Sequence, residues 1–168
     1  MIVIGVDPGL RVTGYGAIAL DAAGAHLIEA GTIAPPTTAP FEARLAALHR
    51  ELGKILASVR PDVLVIEELW SGYKNPTTAV LMGHARGVLC LAAHDHGVPV
   101  RHLVHSMVKR ALAGSGAARK EQVKRMVMEQ LHLRVRPDPD DVSDALALAL
   151  AFANIDAGDR RLARASAI

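Results

Sequence analysis

The polarity pattern opens on an unbroken apolar run, Ile2 to Val6, that ends in one acid, Asp7, and is stopped by Pro8-Gly9. Val and Ile enrichment bounded by Pro and Gly predicts a strand. A second strand is expected over Val12–Leu20 and a third over His26–Ile33, with Gly24 between them suiting a hairpin. From Phe41 to Arg60, Leu45, Leu48, Leu52, Ile55 and Leu56 return at three- and four-residue steps, which predicts one apolar face of a helix. Asp62–Glu67, DVLVIE, is nearly all apolar, as in strands buried on both faces. Pro76 to His96 predicts a second helix, rich in small residues, and Val98–Leu103 a fifth strand. His105–Leu112, Lys120–Leu131 and Asp140–Ile155 predict three further helices, separated by Gly114-Ser115-Gly116 and by Pro137 and Pro139. This order implies an α/β fold, a five-stranded mixed sheet flanked by helices. One domain is expected over 1–156. The basic stretch 157–168, with Arg160, Arg161 and Arg164, is expected to form a flexible tail.

Composition narrows the class. At 168 residues, 51% hydrophobic and 21% charged, the chain has enough apolar surface for a core and does not match a disordered tail. The longest apolar stretches, around Val80–Ala93 and Ala145–Ala153, carry charges or are too short to span a bilayer, so no membrane is expected. The chain opens directly on strand residues, without the pattern of a secretory leader. The lone cysteine, Cys90, excludes an intrachain disulfide and suits a reducing compartment such as the cytoplasm. A net charge of +2 is compatible with a phosphate-rich partner and is weak evidence for one.

The acids stand at element ends. Asp7 and Glu67 each close a predicted strand, and ligand sites of open α/β sheets lie beyond the carboxyl ends of strands. Asp141 and Asp144, three apart at the start of the last helix, share a face. If that face turns to the sheet, all these carboxylates meet, and they repel one another unless cations join them. Hard oxygen donors of this kind favour magnesium or manganese over zinc. Taken singly, Asp7 also reads as a turn residue before Pro-Gly, and Asp141 and Asp144 as a solvated first helical turn.

Together the segments GVDPGLRVTGYG at 5–16, VIEELW at 65–70, KNPTTAVLMGHARG at 74–87, GSGAARKEQV at 114–123 and DDVSDALALAL at 140–150 resemble the RuvC family of Holliday junction resolvases. The resemblance runs from the N-terminus to about Phe152. It implies a ribonuclease H-like fold, a homodimer and a metal-dependent endodeoxyribonuclease. Such an enzyme nicks two strands of like polarity symmetrically across a four-way DNA junction, leaving 5′-phosphate and 3′-hydroxyl ends. Carried over position by position, the catalytic and metal-binding acids fall on Asp7, Glu67, Asp141 and Asp144. The functional lysines fall on Lys109 and Lys120, and the stacking aromatic on Trp70. Tyr73, Lys74, Arg86 and Arg110 are further expected DNA contacts. The resemblance also implies two Mg2+ ions per site, with Mn2+ as a substitute, and a branch-migration motor of the RuvA and RuvB type as partner.

Glu68 stands where many relatives carry glutamine, and Asp140 beside Asp141 leaves two registers for the closing pair. The eight histidines show no metal-ligand spacing, and His84, His94 and His96 read as surface residues. A kinase of the sugar- or acetate-kinase type also opens on a D-x-G hairpin but needs two such domains. A non-catalytic junction-binding module would be expected to lack one of the acids.

Overall fold

Strands β1 (Ile2–Asp7), β2 (Thr13–Asp21), β3 (Gly24–Ile33), β4 (Val63–Glu67) and β5 (Val100–Leu103) form one five-stranded sheet in the order β3-β2-β1-β4-β5. This is a computed structural model, and it describes residues 1–68 and 76–165. The helices are α1 (Phe41–Val59), α2 (Pro76–Asp95), α3 (His105–Ala113), α4 (Lys120–Gln130) and α5 (Asp140–Ala165). β1, β2 and β3 run antiparallel in sequence, whereas β1–β4 and β4–β5 are parallel pairs. The hairpin between β2 and β3 is tight. Asp21 Oδ1 accepts the N–H groups of Ala23 and Gly24, and Gly24 takes a φ of 131°, a conformation that favours glycine.

The two faces of the sheet carry separate cores. Val3, Val63 and Val65 pack with α3, α4 and α5. Ile4, Val6, Leu64 and Ile66 pack with Leu48, Leu52 and Leu56 of α1 and Leu89 of α2. Alternation along a strand therefore assigns positions 3, 5 and 7 of β1, and 63, 65 and 67 of β4, to the α5 face. That parity turns both strand-ending acids toward α5. It also explains why β4 reads as a continuous apolar run, since both of its faces are covered.

Helix α5 lies directly on β1 and β2. A Cβ on Gly5 would fall 1.9 Å from the carbonyl oxygen of Ala145 and 2.9 Å from the amide nitrogen of Ala149. The glycine in the strand and the alanines in the helix together permit this approach, and Ala145, Leu146, Ala149 and Leu150 are fully or almost fully buried there.

The expected elements are all present, with shifted ends. β3 begins at Gly24 and not at His26, because the turn is made by the residues before it. β5 is confined to Val100–Leu103. The last helix does not stop at Ile155: it runs to Ala165, so the stretch from 157 expected as a flexible tail continues α5 that far. Ala, Leu and Arg in this stretch are strong helix formers, and no Pro interrupts them. Among the described residues no helix is long and apolar enough to cross a membrane.

Candidate active site

Asp7 sits where β1 ends. The turn after it is tied by Thr13, a fully buried residue whose Oγ1 donates to the carbonyl of Gly9 at 2.7 Å and accepts the Gly9 N–H at 3.1 Å. This reciprocal pair fixes the Pro8-Gly9 turn. Val6 pairs with Ile66, so Asp7 and Glu67 follow one another at the same sheet edge and, by parity, on the same face. Across the antiparallel pair, Asp7 lies opposite Gly14, and the backbone of Asp141 rests on Gly14. Asp144, one helical turn further along α5, completes the group.

Proximity shows in the electrostatics. Burial pushes the Asp7 carboxyl up to about 8, and the charges of Asp144, Glu67 and Asp141 push in the same direction, against the opposing pull of Lys120. Glu67 is also raised, first by burial, with His105 opposing and Asp144 adding to the rise. Two basic groups reach into the cluster. Lys120, the first residue of α4, donates to Asp144 Oδ2 at 2.7 Å, and His105 Nδ1 lies 3.1 Å from Glu67 Oε1. Burial lowers the affinity of the Lys120 ammonium for its proton, but the hydrogen bond and charge of Asp144, with that of Asp140, outweigh it and raise the pKa.

One cavity is lined by Asp7, Glu67, Asp144, Lys120, Lys109 and His105. Thus the structure brings together three of the expected acids and both expected lysines, while Asp141 stands beside Asp7 from above Gly14. The two registers differ in their surroundings. Asp141 and Asp144 both act on Asp7, whereas Asp140 bonds Lys124 and Arg136 and reaches the cluster only through Lys120, 3.5 Å away. Glu68 is exposed, and its N–H bonds the carbonyl of Leu103 at 2.9 Å.

Arg86, expected at the DNA, turns inward. Its Nε donates to the carbonyl of Glu67 at 2.9 Å, and a terminal nitrogen lies 2.6 Å from His102 Nδ1, so it clasps the end of β4. Arg110 is exposed on α3. Trp70, Tyr73 and Lys74 lie outside the described residues.

Sequence reasoning missed His105 and Lys124, and weighed Asp140 only as an alternative register of the closing pair. His105 carried a usable signal. β5 is parallel to β4, and His105 comes two residues after Leu103, the partner of Glu67, so it falls at the same carboxyl edge. The pairing of Asp140 with Lys124 gave none, because they meet across sixteen residues.

Oxygen donors dominate the cluster, and a carboxyl held up to about 8 by burial and by its acidic neighbours is one that a hard cation would return to its ionised state. The residues present thus fit a divalent ion of the magnesium or manganese kind. In this structure Asp144 and Glu67 instead engage Lys120 and His105, and among the described residues no three such side chains close around one point.

A five-stranded mixed sheet with acids delivered by its first and fourth strands and by a helix lying across them defines a nuclease of the ribonuclease H-like class. The comparisons agree and go further. The family model described as "Crossover junction endodeoxyribonuclease RuvC" matches residues 3–152. The protein of that name from Rhodopirellula baltica is 43% identical over 148 residues, covering 88% of this chain and 83% of the relative. Among solved structures, Thermus thermophilus RuvC superposes with a TM-score of 0.88 at 33% identity, over 95% of this chain and 97% of that one. The same protein in complex with a Holliday junction substrate gives a TM-score of 0.84 at 33% identity, over 92% and 94% of the two chains. The chain belongs to the RuvC family.

Proposed function

We propose that this chain is a metal-dependent endodeoxyribonuclease that resolves four-way DNA junctions by paired, symmetric nicks in strands of like polarity, leaving 5′-phosphate and 3′-hydroxyl ends. The observation that carries the reading is the convergence of Asp7, Glu67, Asp141 and Asp144 on one sheet edge, with Asp7 forced up to about 8 by burial and by the others.

In this reading the four carboxylates hold two Mg2+ ions per site, for which Mn2+ substitutes. When bound, such ions activate water and stabilise the leaving oxygen of an in-line displacement. The chain's own residues do the rest. The carboxylates supply the ligand set: Gly5 of β1 and Gly14 of β2 let α5 approach the sheet closely, and β4 is registered against β1 by strand pairing. Lys120 carries a positive charge to the scissile phosphate, where a fixed cation in a water-poor site stabilises the developing charge. Lys109 and Arg110 contact the sugar–phosphate backbone, which positions DNA without reading sequence. Trp70, Tyr73 and Lys74 serve as further DNA contacts, with Trp70 stacking on a base near the crossover.

A homodimer supplies two identical sites related by a two-fold axis, matching the near two-fold symmetry of a junction. The exposed Val80 and Leu91 on α2 suit burial by a second copy. A branch-migration motor of the RuvA and RuvB type is the expected partner, and the cytoplasm the expected location.

The test is cleavage of a synthetic four-way junction against linear duplex of the same arms, with Mg2+ or with chelator. Symmetric nicks confined to the junction and dependent on metal are expected. Binding without cutting under any metal would point to a junction-binding module.

A further inference from the structure

Asp140 divides its two oxygens between two lysines. Oδ1 accepts from Lys124 Nζ at 2.5 Å and from an Arg136 N–H at 3.3 Å. Oδ2 faces Lys120 Nζ at 3.5 Å. The same ammonium is 2.7 Å from Asp144 Oδ2. Lys120 thus sits between a carboxylate inside the cluster and one just outside it.

The two carboxylates differ in how they are held. Asp140 is anchored. Lys124 is only 5% exposed, so its charge needs a fixed partner, and Arg136 ties Asp140 to Glu121 of α4 through bonds of 3.2 Å. Lys120 is half exposed, on a flexible four-carbon stem, and a small rotation carries its ammonium from one oxygen to the other. An ammonium bonded to Asp144 competes directly with any cation for that oxygen. Asp140 gives the ammonium a fixed second acceptor, 3.5 Å away, when it leaves Asp144.

The geometry points to Asp140 as a positioning residue: it draws Lys120 off Asp144, which frees Asp144 for a divalent cation and holds the ammonium at the rim where a phosphate enters. Lys124 and Arg136 fix Asp140 for that role. This inference rests on the metal-nuclease reading given above, and it concerns a residue that touches neither substrate nor metal.

The test is a double-mutant cycle on Mn2+ binding to the DNA-free protein, followed by electron paramagnetic resonance, with wild type, Asp140→Asn, Lys120→Met and the double variant. Asp140→Asn is expected to weaken Mn2+ binding roughly two- to fivefold, the range that a half-exposed ion pair supports. Lys120→Met is expected to tighten it, and adding Asp140→Asn to Lys120→Met to change nothing further. Equal weakening in both backgrounds would mean that Asp140 acts only by its charge, and would overturn the proposal, as would no weakening in either. Failure of both wild type and Lys120→Met to bind Mn2+ would instead contradict the metal reading itself. Because Asp140→Asn leaves the buried Lys124 charge poorly matched, the cycle is repeated on a Lys124→Met background. The same dependence on Lys120 is expected there, and its absence would equally overturn the proposal.

Discussion

Gly14 and Asp141 are in backbone contact: a Cβ on Gly14 would lie 2.0 Å from the carbonyl oxygen of Asp141 and 2.9 Å from its Cβ. Gly14 is also the cross-strand partner of Asp7. One glycine therefore sets the distance between the acid of β1 and the first turn of α5. The obstruction is backbone, which does not move aside cheaply. Gly14→Ala is expected to lift the start of α5, cost about 1–3 kcal/mol in stability, and weaken cleavage further than that loss explains. Thermal denaturation alongside metal titration of cleavage would check it. A variant with native metal dependence would show that Asp141 is not held by this contact.

The pH behaviour of Asp7 has a definite sign. Its pKa is about 8 in the fold and 3.8 in the ordinary state. Between these values the folded protein binds more protons than the unfolded one, so stability falls as pH rises from about 4 toward 8. Asp7→Asn removes that loss. In the absence of divalent metal the variant is expected to gain on wild type through this window, by on the order of a few kcal/mol at its upper end. Denaturant melts from pH 5 to pH 9 would show the gap opening. A constant gap across the range would mean that Asp7 ionises normally.

Lys120→Ala separates catalysis from affinity. Its ammonium is engaged with Asp144 inside the cavity and does not form part of an open basic face. The cleavage rate is expected to fall by roughly 10²–10³, the usual cost of losing one stabilising charge or donor at a reacting group, while junction affinity changes little. Single-turnover cleavage and a binding titration check this together. Equal losses in both would make Lys120 a backbone contact only.

Arg86 offers a contrast. Its Nε and one terminal nitrogen are engaged with the carbonyl of Glu67 and with His102. Arg86→Ala is therefore expected to slow cleavage through Glu67 and leave the salt dependence of junction binding unchanged. A phosphate contact would reduce that slope by about one, so a shallower slope would return Arg86 to the DNA.

Much of this site was legible in the chain because strand parity and helix spacing are local. DVLVIE announces a strand covered on both faces, and its terminal acid must then point at an edge. Asp141 and Asp144 share a face by spacing alone. The choice between Asp140 and Asp141 was not legible, since it depends on Lys124 and Arg136 taking Asp140 away from the cluster. The hold of Arg86 on the end of β4 was not legible either, because its partners lie sixteen and nineteen residues away. The end of α5 was misplaced because Gly158 reads as a stop signal, whereas the helix passes through it among helix-forming residues.

The carboxylate edge is expected to perform the cutting while DNA is held elsewhere. Junction binding and junction cleavage by Asp7→Asn, measured side by side in Mg2+, separate the two. Cleavage is expected to vanish while binding is kept or strengthened, because a negative charge facing the phosphate has been removed. Retained metal-dependent cutting, or loss of binding in step with cutting, would contradict the account.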